Sequence, residues 1–216
     1  GAIMFTYRKL TESDLHIIQA VQADVCAALE NPAILQPLSD EELLHILSGN
    51  GVMIGVFASE RLIAFRALLK PQVDEDEHLG EDVGANDFSR VLYQEISNVH
   101  PEFRGHGLQK LMAQWIMSEV NLTHYDWICA TVMPYNIASL KDKFAQGMYV
   151  YALKWKYGGK LRYVFGKDLR GNRAGKSTSI RVSMGDTDKQ QQLLADGFVG
   201  VAMEQTDDDW FVEYRK

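Results

Sequence analysis

The chain has 216 residues, of which 46% are apolar, and a formal net charge of −7. These values are typical of a globular protein with a sizeable core, and the negative charge disfavours nucleic acid as a partner. No apolar run is long enough to span a membrane and the first residues lack the pattern of a secretory signal, so we expect a cytoplasmic protein. Cys26 and Cys129 have no zinc-ligand neighbours and are expected to be buried thiols, with no metal site.

The first third of the chain predicts a strand, two helices and a hairpin. The segment Thr11–Asp14 has the pattern of a capping box, and Ser39 is a typical residue before a helix. The expected elements, in order, are a strand over 3–9, a helix from Leu15 that ends at Pro32, a helix from Ser39, and strands over 52–58 and 62–69.

Charge is distributed unevenly along the chain. Residues 71–88 are rich in acids and are expected to be a loop, either a solvated excursion or an acidic lip that attracts a cationic amine. Residues 151–181 carry nine Lys or Arg and one acid. That segment is either a solvated face and linker or a surface for cofactor phosphates, an acidic partner or nucleic acid.

The rest of the chain predicts alternating strands and helices. The expected elements are a strand over 91–99, a helix over 107–120, a strand over 127–132, a helix over 136–146, and strands over 148–155 and 161–165. A linker is expected over 169–179. A small α+β appendage over 180–216 is expected to dock on the core or on a partner subunit, because fewer than 50 residues rarely fold alone. No internal repeat is apparent.

A glycine-rich turn between a predicted strand and a predicted helix, from Val99 to Met112, indicates an anion site. A helix start leaves backbone N–H groups without partners, and glycines there let a phosphate approach them. A dinucleotide fingerprint would need glycine where Lys110 stands. The P-loop-like segment 175–178 lacks its first glycine, because Arg170 occupies that position.

The turn resembles the cofactor signature of the GNAT superfamily, the acetyl-CoA-dependent N-acetyltransferases. The matching residues are Arg104, Gly105, His106, Gly107, Leu108 and Gln109, preceded by Val99, Pro101 and Phe103 of the usual lead-in. Asn136, Ser139 and Gly147 match a later motif of the family. Gln109 departs from the small residue that the family has there, and it is expected to crowd the position nearest the pyrophosphate.

This resemblance covers about residues 3–168 and implies a GNAT-like α/β (α+β) domain over 1–168, with a central mixed, mostly antiparallel sheet flanked by helices. The implied cosubstrate is acetyl-CoA. Backbone groups of Ser97, Asn98 and Val99 would pair with its pantetheine arm, and the N–H groups of residues 104–109 would hold its pyrophosphate. Asn136 and Ser139 would lie beside the cofactor, although Asn136 is equally suited to capping the next helix.

The implied reaction is direct transfer of an acetyl or short acyl group to a primary amine, on a small molecule or as a lysine or N-terminal amine of a peptide. Glu95 is the candidate base, or else an ordinary half-exposed strand carboxylate; His100 and His106 are further candidates by chemistry, although His106 lies inside the phosphate turn and is also suited to be a solvated spacer. Lys143 occupies the position of the family's usual general acid, so Tyr149 is the candidate acid, and the alternatives are Tyr135 or protonation of the thiolate by water. The rival interpretation is a catalytically silent CoA-binding or interaction module. A homodimer is compatible with either interpretation.

Overall fold

The computed structural model of the protein describes residues 2–31, 37–171 and 177–216. They form two compact units, one of residues up to 71 with 92–123 and the other of residues 72–91 with 124 onward. No helix in these described ranges has the length and apolar character needed to cross a membrane. The predicted end of the first helix at Pro32, and half of the P-loop-like segment, lie outside the described residues.

The elements follow the predicted order. They are β1 (Phe5–Lys9), α1 (Leu15–Ala27), α2 (Asp40–Leu47), β2 (Gly51–Ala58), β3 (Arg61–Leu69), α3 (Leu79–Val83), β4 (Val91–Val99), α4 (Leu108–Met117), β5 (Trp127–Val132), α5 (Ile137–Ala145), β6 (Tyr149–Lys156), β7 (Lys160–Asp168), β8 (Ser179–Ser183), α6 (Thr187–Ala195), β9 (Val199–Thr206) and β10 (Asp209–Arg215). The predicted α/β fold with a mostly antiparallel sheet and flanking helices is confirmed.

Unit 1 is an antiparallel meander of β1, β2, β3 and β4, with α1, α2 and α4 packed on its strands. Both predicted helix starts are present. Thr11 N–H donates to Asp14 Oδ2 at 2.8 Å, and Ser39 and Glu42 form a reciprocal capping box. Apolar side chains from the helices and strands then meet in one core that includes Ile18, Leu43 and Phe65. This core includes Ile96 of β4, the strand that leads into the glycine turn.

Unit 2 has the strand order β5-β7-β6-β9-β10-β8, and its neighbouring strands pair antiparallel. Its buried thiol, Cys129, lies on β5, and burial raises the pKa of that thiol. Cys26, in unit 1, is partly exposed, so the expectation of two buried thiols holds for one of them.

The acid-rich segment 71–88 is not only a loop, because it contains the short helix α3. Leu79 and Val83 bury the apolar side of this helix. Asp82 is buried as well, and its carboxylate binds Lys154 Nζ at 2.6 Å and Lys156 Nζ at 2.9 Å. The acidic and basic segments therefore partly neutralise each other within unit 2, which removes Asp82 from any acidic lip and the buried Lys156 from any free basic surface.

Unit 2 contains a repeated series of elements that is not apparent in the sequence. The series β5, α5, β6, β7 recurs as β8, α6, β9, β10, and α6 and β9 begin 50 residues after α5 and β6. Under this correspondence the strand order of the unit is a palindrome. The two copies meet where β6 pairs with β9 at Val150 and Gly200, which are themselves 50 residues apart. The arrangement is a pseudo-twofold about that pair of strands.

The two copies exchange their helices across this pseudo-twofold. Helix α6 of the second copy packs on β6, and helix α5 of the first packs on β9. The strands approach closely because Gly200 has no side chain: a Cβ there would lie 2.8 Å from the Cβ of Val150. Residues 179–216 are thus packed on the preceding part of unit 2. The linker predicted over 169–179 lies partly outside the described residues and stays a prediction.

A buried glutamine ties α6 to two strands. Gln190 is fully buried, and its Oε1 accepts hydrogen bonds from the hydroxyls of Tyr163 on β7 (2.6 Å) and Tyr214 on β10 (2.9 Å). Its Nε2 donates to the carbonyls of Met184 and Asp186. Burial raises the pKa of both tyrosines, so both hydroxyls remain donors.

We expect Gln190→Met to lower the free energy of unfolding by about 2–5 kcal/mol, because two buried hydroxyls lose their acceptor. Urea unfolding followed by circular dichroism measures the loss. The neighbouring exposed Gln192→Met is the control, with an expected change within about 0.5 kcal/mol. Equal losses in the two variants would contradict the role given to Gln190.

Candidate functional site

The glycine turn joins β4 to α4 through two left-handed residues. Gly105 has φ +83° and Gly107 has φ +70°, a region that side chains disfavour. The space beside both glycines is open, since an added Cβ would meet no atom within 4 Å. Residues 104–107 are exposed, whereas Leu108 is buried and anchors the start of the helix. The turn therefore presents bare backbone at a fixed position.

The start of α4 offers backbone donors to an anion. The first hydrogen bond of this helix runs from Leu111 N–H to the Gly107 carbonyl at 3.1 Å, so the N–H groups of residues 108–110 precede the helical ladder. The first turn of the helix contains no acidic residue. These groups and the helix dipole favour a phosphate at this end of α4.

Gln109, the residue expected to crowd the phosphate, is held by neighbouring side chains. Its Oε1 accepts from Arg66 Nη2 at 3.1 Å and from the Ser97 hydroxyl, and its carbonyl also accepts from Arg66 Nη2 at 3.2 Å. Arg66 lies on β3 opposite Ser97 of β4 and is 1% exposed. These contacts fix the direction of the Gln109 side chain, and the expectation that it crowds the pyrophosphate stays a prediction. Arg66 itself was not among the predicted site residues.

The two histidines near the turn have structural contacts. His100 is buried; its Nδ1 accepts the N–H of Glu102 at 3.1 Å, and its Nε2 lies 3.0 Å from Asp24 Oδ2. His106 is exposed, and its ring packs edge-on against Phe5, 5.4 Å between centroids. Neither arrangement is that of a general base.

Glu95 lies at an irregularity of β4. The register with β3 shifts there: Ile96 pairs with Ala67 and Gln94 with Leu68, so Glu95 is an extra residue in its strand. Such a bulge turns a side chain out of the regular alternation and is common beside active sites. The bulge therefore distinguishes the half-buried Glu95 from the other residues of β4, the strand that leads into the glycine turn.

Glu95 also lines a pocket of about 270 Å³ in unit 1. The other lining residues come from α2, the segment before it and β3: Leu38, Glu41, Glu42, His45, Ile46 and Leu69. The lining of this pocket includes three carboxylates and three apolar side chains. This surface suits an amine on an aliphatic stem. Sequence reasoning identified Glu95 and missed the contribution of α2.

One buried side chain stands out at the end of β4, where residues 97–99 are predicted to pair with the pantetheine arm. Asn98 is buried, and among the described residues its side-chain nitrogen has no hydrogen-bond partner. A buried donor without an acceptor is costly, so a polar ligand group at this strand is favoured. Together with the open space at Gly105 and Gly107, this orphaned donor is consistent with an amide-containing, phosphate-bearing cofactor.

The remaining predicted site residues belong to unit 2. Asn136 lies at the start of α5 but its side chain makes no capping hydrogen bond, which weakens the purely structural interpretation. Ser139 follows on the first turn of α5 and Tyr149 begins β6; both are partly exposed. Lys143 is buried and donates to Asp142 Oδ2 at 2.8 Å, so it does not replace the family's acid.

Tyr135 makes two hydrogen bonds to the second copy of the repeat. Its hydroxyl donates to Asp209 Oδ1 at 3.0 Å, and its backbone N–H contacts Met184 Sδ at 3.1 Å. Partial burial, followed by the Asp209 carboxylate, raises the pKa of this tyrosine. A hydroxyl already committed to a carboxylate is poorly placed to protonate a leaving group, which leaves Tyr149 as the better candidate.

No group of three or more metal-ligating side chains is found within 2–31, 37–171 and 177–216.

The chain matches no protein-family model and no curated protein sequence. It is similar in structure to solved acetyltransferases at low sequence identity. An N-acetyltransferase from Staphylococcus aureus Mu50 is 14% identical with a TM-score of 0.57, over 77% of this chain and 99% of the other. The paia N-acetyltransferase of Thermoplasma acidophilum, in complex with coenzyme A, is 14% identical with a TM-score of 0.55, over 77% and 99%.

The ribosomal-protein-S18-alanine N-acetyltransferase of Escherichia coli is 12% identical with a TM-score of 0.58, over 81% of this chain and all of the other. A further similar structure is an acetyltransferase of the GNAT family from Streptococcus pneumoniae. Sequence identities this low support a shared fold and do not show a shared activity. The predicted resemblance is confirmed at that level: this chain has the fold of the GNAT N-acetyltransferases.

Proposed function

We propose that the protein is an N-acetyltransferase that moves an acetyl or short acyl group from acetyl-CoA to a primary amine by direct attack. The observation that carries the proposal is the left-handed Gly105–Gly107 turn at the start of α4, with its open backbone donors. The fold shared with the coenzyme A complex from T. acidophilum supports the same cosubstrate. We place the activity in the cytoplasm, as expected from the sequence.

The proposed cofactor contacts follow from the local geometry. The N–H groups of residues 104–109 hold the pyrophosphate at the positive end of α4. Backbone groups of Ser97 and Val99 and the buried amide of Asn98 bind the pantetheine arm, which carries two amide groups of its own. Asn136 and Ser139 stay proposed cofactor contacts, on the strength of the sequence resemblance alone.

The proposed chemistry needs a base and an acid. An alkyl amine is mostly protonated at neutral pH, so Glu95 accepts the ammonium proton before the nitrogen attacks the thioester carbonyl carbon. Acetyl-CoA supplies the acetyl thioester. The C–S bond breaks as the C–N bond forms, and Tyr149 is proposed to give its proton to the departing sulfur and to be reprotonated, through water, by the second proton that the nitrogen loses on becoming an amide.

The acceptor is proposed to be a cationic amine on an apolar stem, on a small molecule or on a peptide. Carboxylates of Glu41 and Glu95 attract the ammonium group, and Leu69 and Ile46 contact the stem. The E. coli relative is named for an alanine of a ribosomal protein, so acceptors on proteins occur with this fold.

A thiol-release assay tests the proposal. Purified protein is mixed with acetyl-CoA and a panel of cationic, neutral and anionic primary amines, and CoA binding is measured by calorimetry. We expect CoA to bind and thiol release to depend on a cationic amine. No binding of CoA would refute the proposal.

A catalytically silent CoA-binding module is the second candidate. The observation in its favour is Lys143, buried and paired with Asp142 at the position of the family's acid. Binding of CoA without turnover on any amine would favour this candidate over the enzyme.

A further inference from the structure

A buried histidine lies between β4 and the glycine turn. His100 directly follows β4, is 6% exposed, and precedes the single 3₁₀ turn Pro101–Phe103, after which the chain enters the glycine turn. Its backbone N–H donates to the Ile63 carbonyl of β3 at 2.7 Å, and its carbonyl accepts from the Phe103 N–H at 2.9 Å. His100 thus connects the strands of unit 1 to the segment that leads into Gly105.

The side-chain contacts of His100 determine which ring nitrogen carries the hydrogen. Nδ1 lies 3.1 Å from the backbone nitrogen of Glu102, whose N–H is a donor, so Nδ1 accepts and carries no hydrogen. Nε2 then carries the hydrogen of the neutral ring and donates to Asp24 Oδ2 on α1 at 3.0 Å. These contacts therefore require a neutral imidazole. A second proton would have to enter at Nδ1, where it would face the N–H of Glu102.

Charged groups of both signs face this ring in the described part of unit 1. The Asp24 carboxylate attracts a protonated ring. Arg61 Nη2 lies 3.2 Å from Nε2 and repels a protonated ring, while Arg61 Nη1 pairs with the Glu102 carboxylate. Protonation would strengthen the contact with Asp24, but it would remove the acceptor that caps the 3₁₀ turn. The charge of the ring is therefore coupled to the conformation of residues 101–103.

We propose that His100 is a positioning residue for the glycine turn, and that its protonation in mildly acidic solution weakens binding of the CoA pyrophosphate. The neutral ring accepts the Glu102 N–H and holds the 3₁₀ turn that precedes Gly105 and Gly107. The protonated ring releases that N–H, so the 3₁₀ turn loses its cap. Histidine is the side chain that ordinarily changes charge near neutral pH. This inference rests on the proposed function and adds regulation by pH to it.

Binding of dephospho-CoA at different pH values tests the proposal. This ligand keeps the pyrophosphate and lacks the 3′-phosphate, whose second ionisation falls in the same pH range. The matched variant is His100→Asn, because an asparagine there can accept the Glu102 N–H and does not titrate. Between about pH 7.5 and about pH 5.5 we expect the calorimetric Kd of the parent to rise about fivefold more than that of His100→Asn, the effect of losing one capping hydrogen bond.

Two other variants separate the role of His100 from that of other titrating groups. His16→Asn removes an exposed histidine from α1 and should have the parental pH profile. Asp24→Asn removes the carboxylate that attracts the protonated ring, so the loss of affinity should move to lower pH. His106 of the glycine turn is present in every variant, and its protonation would favour an anion, which is opposite in sign to the expected effect.

The hydrogen position can also be measured in the parent protein, without any variant. Nitrogen NMR of the His100 ring at about pH 7.5 should show a hydrogen on Nε2 and none on Nδ1. A hydrogen on Nδ1 would overturn the inference, and so would equal pH profiles of the parent and His100→Asn. Absence of CoA and dephospho-CoA binding by the parent at every pH would refute the proposed function together with the inference, whereas binding with equal profiles would refute only the role of His100.

Discussion

Gly107→Glu is expected to raise the Kd of CoA by at least about 100-fold. The new carboxylate enters the open space beside the turn, where it repels the pyrophosphate and competes for the N–H groups of α4. The left-handed backbone adds a strain of about 1 kcal/mol, which is too small to unfold the domain. Calorimetric titration with CoA, together with circular dichroism, measures both effects.

Gly84→Glu is the matched control for this variant. Gly84 ends α3 with φ +76°, and an added Cβ there also meets nothing within 4 Å. The control therefore introduces the same strain and the same charge away from the turn, and its Kd should equal that of the parent. Unchanged affinity in Gly107→Glu would contradict the phosphate site.

Glu95→Gln is expected to lower kcat by about 100-fold at pH 7 while the Kd of acetyl-CoA stays constant, because the amide cannot accept the ammonium proton. The loss of kcat should become smaller as the pH approaches the pKa of the free alkylammonium group, about 10, because the acceptor amine is then already deprotonated. Steady-state rates from pH 7 to 10 check both statements.

The exposed Glu60→Gln, in the hairpin between β2 and β3, is the control and should have parental kcat at every pH. A Glu95→Gln defect of constant size across the pH range would argue that Glu95 orients the substrate or supports the strand. A Glu95→Gln variant with the parental kcat at pH 7 would exclude Glu95 as the base.

The elements beside the glycine turn could be predicted because local signals agree there. β4 and β5 have the predicted bounds: both are rich in strand-forming residues, and each ends two residues before a proline, Pro101 or Pro134. Helix α3 was missed because its five residues lie in an acid-rich segment, and its stability comes from burial of Leu79 and Val83 and from the lysines that pair with Asp82.

Part of the candidate site depends on contacts distant in sequence. The bulge that singles out Glu95 is a property of the register between β3 and β4, and no local pattern indicates it. Arg66 did leave a signal that was not used: it is the one charge inside the apolar run 62–69. A charged residue in a strand buried along most of its length requires polar partners, and Gln109 and Gln94 supply them.

The repeat in unit 2 was invisible in the sequence because its copies share geometry and few residues. Gly147 and Gly197 are among the identities, and both end a helix in the left-handed conformation that favours glycine. The other matched positions need only an apolar or polar character, and many residue types satisfy that requirement.

The pairing of β6 with β9 covers one edge of β6. An uncovered edge strand can pair with another chain, and a subunit that covers it does so only above its dissociation constant. Here the covering strand is part of the same polypeptide, so dilution cannot expose β6. The palindromic unit ends instead, within the described residues, on β8, a strand of five residues whose Arg181 is exposed. Short, charged edge strands resist aggregation. The repeat therefore leaves the five-residue β8 at an edge of the unit in place of the eight-residue β6.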